Sequence, residues 1–233
     1  MQKQDLTTRR AASCPFIGVL LACSQCGTVN GSASAKPGAM SPTELAEGNP
    51  AGNLIVFVGK RLDVHEVLSP SGEIWFDRQF VARYEVLSVI FGSYGEKEIT
   101  FTSFNHKAPS GTIPLLILND VLLLYVSKVD GRLIHEKYQY DEVYGTRDGR
   151  WASCATQYDA PNHRMEATVH PIDFLREVKF DLQGLTSEEI QQHYPSSAFE
   201  IRDGMAVCKA GLYPEELFDI RRRGVLKARG IFQ

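Results

Sequence analysis

The chain has 233 residues, 43% hydrophobic and 23% charged, with a formal net charge of −3. That length suffices for one domain with a full core, or for a domain and an appendage. The charge argues against a nucleic-acid binder, and no apolar run reaches the roughly 20 residues that span a bilayer.

Lys3, Arg9 and Arg10 form a basic leader, and the stretch from Ala11 to Ala22 carries no charge. About a dozen apolar residues after a basic start suit a signal peptide, expected over 1–22. The stretch Val19-Leu20-Leu21-Ala22-Cys23 resembles the lipobox of bacterial lipoproteins. The resemblance implies cleavage before Cys23, a diacylglycerol on its sulfur and an acylated new N-terminus. Two or three chains of the palmitate type anchor stably, where one binds only marginally. Ser24 after the cysteine, in place of aspartate, implies the periplasmic side of the outer membrane rather than retention at the inner one. Loss of the leader, with its three bases and Asp5, takes the net charge from −3 to −5.

Residues 23–40 are rich in Gly, Ser, Ala and Asn and read as a flexible tether, because they offer too little apolar surface to offset ordering. Ser41-Pro42-Thr43-Glu44 has the signature of a helix start, predicting a short helix over 42–47. From Leu54 the texture is that of strands. "LIVFVGKRLDVHEV" is β-branched and then alternating, with Gly59 marking a bulge or bend. "FVARYEVLSVIFG" sets Phe80, Ala82, Tyr84 and Val86 against Arg83 and Glu85. "EITFTSF" sets Ile99 and Phe101 against Thr100 and Thr102. "IPLLIL" and "VLLLYVSKV" follow, Asp130-Gly131 is a hairpin turn, and "RLIHEKYQYDEVY" is expected to place Ile134, Glu136, Tyr138 and Tyr140 on one face. Five or six strands with bends and no helix between them predict a mainly β fold, a small Greek-key barrel or sandwich. Beyond Cys154 the expectation changes to a mixed, mostly helical extension over 155–233. Short helices are predicted at "PIDFLREV" and at "TSEEIQQHY", the latter capped by Thr186 and Glu189, and a longer one over 212–229. Arg221, Arg222, Arg223, Lys227 and Arg229 could meet anionic headgroups or a partner, but a solvated helix end is the simpler reading.

The run of "SPTELAEG", "LIVFVGKRLDVHEV", "ARYEVLSVIFGSYGEKEITF" and "DVLLLYVSKVDGRL…WASC" resembles the bacterial relatives of tissue inhibitors of metalloproteinases. That is the netrin-like family of OB-fold barrels, and the resemblance covers about half the chain, over 41–154. It implies a five- or six-stranded OB-like barrel with a small α-helical C-terminal extension. In the animal inhibitors a free N-terminal cysteine chelates the protease zinc. Here acylation of Cys23 removes the amine ligand, and about 30 residues separate it from the first strand, which weighs against that mechanism.

Cys23 and Cys26 have the spacing of half a zinc site, but Cys154 and Cys208 are single, and no metal or other cofactor is expected. A redox C-x-x-C needs a strand before it and a helix after it, which this stretch lacks. In an oxidising periplasm Cys26, Cys154 and Cys208 remain to pair. Cys154–Cys208 would clamp the extension to the barrel, whereas Cys26–Cys154 would imitate the animal pattern. The first is preferred because Cys26 lies on the tether. His163, Glu166 and His170 in "NHRMEATVHP" could form an acid–base or metal cluster; a polar loop or edge strand is the simpler reading. No nucleophile elbow, H-E-x-x-H or phosphate loop is present. The expectation is a non-enzymatic envelope lipoprotein that binds another protein, with an inhibitor or immunity-type role as the narrower form. A structural part of an envelope or secretion assembly and an unrecognised hydrolase are the alternatives.

Overall fold

The computed structural model describes residues 50–69, 76–106, 120–154 and 169–233. After a 3-10 turn at Pro50–Asn53 come β1 (Leu54–Val67), β2 (Asp77–Phe91), β3 (Glu98–His106), β4 (Val121–Val129) and β5 (Arg132–Glu142). They hydrogen-bond in the order β1-β2-β3-β5-β4, and β1 also pairs with β4, so the ring of strands returns on itself. All pairings are antiparallel except β3 with β5, which run parallel and meet at Thr102 and Ile134. Gly59 sits at a register shift in the β1–β2 pair, where an added Cβ would lie 2.7 Å from the Phe57 ring. Asp130 and Gly131, both with positive φ (49° and 75°), make the tight β4–β5 turn, the conformation Asp-Gly favours.

The remaining elements are β6 (Tyr144–Gly145), β7 (Trp151–Cys154), β8 (His170–Pro171), β9 (Lys179–Asp181), α1 (Ser187–His193), β10 (Phe199–Arg202), β11 (Met205–Cys208), β12 (Ala210–Leu212), α2 (Pro214–Arg223) and α3 (Val225–Ala228). They build two small sheets, β10-β11-β9 and β6-β7-β12-β8. Among its described residues the region after Cys154 therefore holds five short strands besides its helices, and these residues are less helical than their sequence suggests. "PIDFLREV" forms no helix: Ile172 donates to the Lys209 carbonyl, and Phe174 bridges Thr146. α1 starts as predicted, with Thr186 and Glu189 exchanging backbone and side-chain bonds. The long C-terminal helix breaks at Gly224. β7 pairs with β12 rather than with a barrel strand, so the boundary placed at 154 cuts a sheet, and the described residues belong to one compact unit.

β1 and β4 read as continuous apolar runs because both of their faces are covered. Ile55, Phe57, Leu122, Leu124 and Val126 point into the barrel with Tyr84, Ile99 and Phe101. Leu54, Val56, Val58, Leu123 and Tyr125 point outward and pack under Leu217, Phe218, Ile220 and Leu226 of α2 and α3. A third core fills the space between the small sheets around Ala152, Phe174, Phe199 and Ala206. In that core Cys154 and Cys208 are joined by a disulfide, with their Cα atoms 6.1 Å apart.

Candidate functional site

The irregular part of the barrel is the middle of β5. Leu124 pairs with Tyr140 and Val126 with His135, so a single residue of β4, Tyr125, stands opposite four of β5: Glu136, Lys137, Tyr138 and Gln139. Such a bulge turns the strand over. His135 and Tyr140, an odd number of residues apart, both face the barrel interior, their rings stacked at 6.5 Å. The predicted alternation, with Ile134, Glu136, Tyr138 and Tyr140 on one face, is thereby broken. Ile134 stands opposite Ser127 on the outer side, and Tyr140 packs inward against the core of the barrel. Tyr138, at the apex, has φ of 64° and is 50% exposed. A bulky residue in the left-handed region is uncommon and costs backbone energy.

Two sets of contacts hold this excursion. On one side, Arg221 of α2 donates from Nε to Asp141 Oδ2 at 2.8 Å and from Nη1 to Gln139 Oε1 at 3.0 Å. Its Nη2 reaches the Tyr140 carbonyl at 3.1 Å and also Asp141 Oδ1. This pair is sheltered, with the arginine side chain 16% and the aspartate 8% exposed. Arg229 donates to Glu136 Oε2 at 3.1 Å and to the Lys137 carbonyl at 2.7 Å, while Ser127 donates to the other Glu136 oxygen at 2.6 Å. On the other side, Asp77 at the start of β2 accepts from Lys137 Nζ at 2.6 Å and bonds His106 Nδ1 at 2.6 Å. The His106 amide donates to the Tyr138 hydroxyl at 3.0 Å. Burial pushes the Asp77 carboxyl up, but the bonds from Lys137 and His106 outweigh it and hold its pKa below the ordinary value.

The neck of the bulge is pinned by His135, which is 4% exposed. Its Nε2 donates to the Gln139 carbonyl at 2.8 Å. Because a carbonyl only accepts, Nδ1 of the neutral ring accepts from the Ser103 hydroxyl, 3.1 Å away on β3. Burial lowers the His135 pKa to about 4, against the Gln139 bond, which raises it; the nearby Arg229 charge lowers it further.

At this end of the barrel Phe76, next to Asp77, and Leu68, after β1, are also exposed. The arrangement offers an aromatic apex and apolar neighbours within a rim of paired charges, a layout suited to protein contact. Among the described residues no group of three or more His, Cys, Asp or Glu side chains could hold a metal.

Of the residues singled out from the sequence, Cys23, Cys26, His163 and Glu166 lie outside the described residues, as do the helix expected at 42–47 and the "IPLLIL" strand. His170 bonds Glu216 Oε1 at 2.6 Å, and Arg150 stacks over Tyr213 beside it, 3.4 Å from the ring centroid. In the basic cluster Arg221 and Arg229 turn inward to the bulge, while Arg222 and Arg223 pair with Asp219. No local pattern in "HEKYQYD" announces the bulge, because the partners on β2, β3 and the C-terminal helices lie 32 to 93 residues away along the chain. No helix among the described residues is long and apolar enough to cross a membrane. No protein-family model, curated protein or solved structure matches this chain.

Proposed function

We propose that this chain is a non-enzymatic, lipid-anchored protein of a bacterial envelope that binds another protein through the β5 bulge of an OB-like, netrin-like barrel. The observation that carries the binding reading is Tyr138: a half-exposed aromatic held in a costly left-handed conformation by contacts from β2, β3 and the C-terminal helices. Strain of this kind is retained where a side chain must be presented. The OB reading is supported by the strand order β1-β2-β3-β5-β4 with a parallel β3–β5 pair. Envelope location is supported by the leader ahead of Cys23 and by the Cys154–Cys208 bond, since stable disulfides belong to oxidising compartments.

The test uses the full chain with a photo-crosslinking amino acid at Tyr138, and separately at exposed Ile201 on the separate β10-β11-β9 sheet. A protein captured from 138 and not from 201 is the expected result. No capture, or equal capture from both, overturns the reading. Acyl labelling of Cys23→Ser tests the anchor: label that persists in this variant contradicts it.

A further inference from the structure

We infer that His135 is an acid-sensitive latch that sets the conformation of the bulge and so the presentation of Tyr138, an inference that rests on the bulge as the binding element. The geometry gives it two attachments. Through Nε2 it closes the neck of the excursion on the Gln139 carbonyl, and through Nδ1 it ties β5 to Ser103 of β3. That second tie lies beside Thr102–Ile134, the one backbone pairing between β3 and β5 among the described residues. Where the strands separate beyond it, the latch and the Tyr138–His106 bond take the place of a ladder.

Protonation puts a positive charge in this interior. β3 presents Phe101 and the Ser103 hydroxyl to the ring, β5 presents Gln139 and Tyr140, and β4 places apolar Val126 opposite. The charged group nearest in effect is Arg229, a cation, and the acid it accompanies, Glu136, is already engaged by Arg229 and Ser127. Asp77 is taken by Lys137 and His106, and Asp141 by Arg221. Among the described residues an imidazolium at His135 thus finds no acid to answer it, and a buried unanswered charge is expelled. Expulsion unties the neck, frees Gln139 and lets the left-handed Tyr138 relax, withdrawing it from the His106 amide. With a ring that titrates near 6.5 when released and near 4 when latched, acidification favours the open bulge by up to about 300-fold.

The experiment is an NMR titration of the full chain from pH 7.5 to 3.5. It follows the Tyr138 ring and the amides of 136–139 beside the methyls of Val56, Val58 and Leu217 in the outer core. The expected result is conversion of the bulge signals to a second set while the core methyls hold, and no conversion in His135→Gln. The glutamine can make both bonds and stays neutral, while leaving Asp77 and Glu136 to titrate as before. Ser103→Ala, which removes a bond that Nδ1 makes only while the bulge is latched and so weakens the latched state, should move the conversion to higher pH. Bulge signals that do not move overturn the latch. So do bulge and core signals that change together, conversion that persists in His135→Gln, or an unchanged midpoint in Ser103→Ala. If His135→Gln does not fold at pH 7, the Ser103→Ala midpoint decides. The titration contains no partner, so a failed latch leaves the crosslinking result standing, and a failed capture leaves the latch standing.

Discussion

Replacing Tyr138 by glycine and by alanine, side by side, measures the backbone cost of the bulge. Both variants lose the ring, its hydroxyl bond to the His106 amide and its contact with Lys137, so those losses cancel in the comparison. At φ of 64° alanine pays about 1–2 kcal/mol for the left-handed conformation. Glycine pays none of this, but loses about 0.5–1 kcal/mol through the greater freedom of its unfolded chain. The glycine variant should therefore be the more stable, by about 0.75 kcal/mol at the middle of those two ranges. At an ordinary strand position the order is the reverse, by a similar amount, so the sign alone is informative. Urea unfolding of the two variants at pH 7 provides the assay, compared at equal slope. In thermal melts the same difference should separate the midpoints by about 1–4 °C for a unit of this size. A glycine variant less stable than the alanine one by 0.5 kcal/mol or more, a margin resolvable in urea, would refute a left-handed Tyr138 and with it the argument that its strain is kept for presentation.

Three further outcomes follow from the same contacts. His135 is neutral when folded, with its pKa lowered from 6.5 to about 4. The unfolded chain therefore takes up a proton first: the stability is fully present above about pH 6.5 and is lost as pH falls towards 4, by up to about 3 kcal/mol, the loss ending at the pH where the bulge opens and the ring titrates freely. Urea midpoints of the wild-type chain minus those of His135→Gln, at pH 7.5 and pH 4, should show that loss. Reducing the Cys154–Cys208 bond, or replacing both cysteines by serine, frees a loop with a sequence separation of 54 residues; chain entropy sets the cost at about 4 kcal/mol, readable by unfolding with and without reductant. Arg221→Met leaves the sheltered Asp141 without its cation and should cost about 3–5 kcal/mol, of which the double variant with Asp141→Leu recovers a large part. Additive losses in that pair of variants would show that the two groups do not act together.

Much of the barrel was legible along the chain because its strands obey local rules. The alternation of Phe80, Ala82 and Tyr84 against Arg83 and Glu85 matches the burial of β2. Asp130-Gly131 turns where its φ preferences demand, and Gly59 falls at a bulge. Thr186 and Glu189 cap α1, because a cap is satisfied within four residues. The runs at 54–58 and 122–126 also announced strands, but not why both of their faces are apolar. The helices that cover the outer face come more than 80 residues after β4, and periodicity carries no information about which element packs on which.

The bulge belongs wholly to the tertiary structure. In isolation "RLIHEKYQYDEVY" prefers a regular strand, and an alternating pattern has no means of recording three extra residues between His135 and Tyr140. What stabilises the excursion is Arg221 and Arg229 from one direction and Asp77 and His106 from the other, groups brought together only when the barrel closes and the C-terminal helices dock. The amino-acid sequence by itself determined where the barrel strands run and where the capped helix α1 starts, since propensity, turn geometry and capping act over a few residues. The tertiary structure alone decided which face of β5 turns inward, that a histidine is sealed beneath it and that Tyr138 is lifted out, because those outcomes depend on burial and charge pairing between segments far apart in the chain.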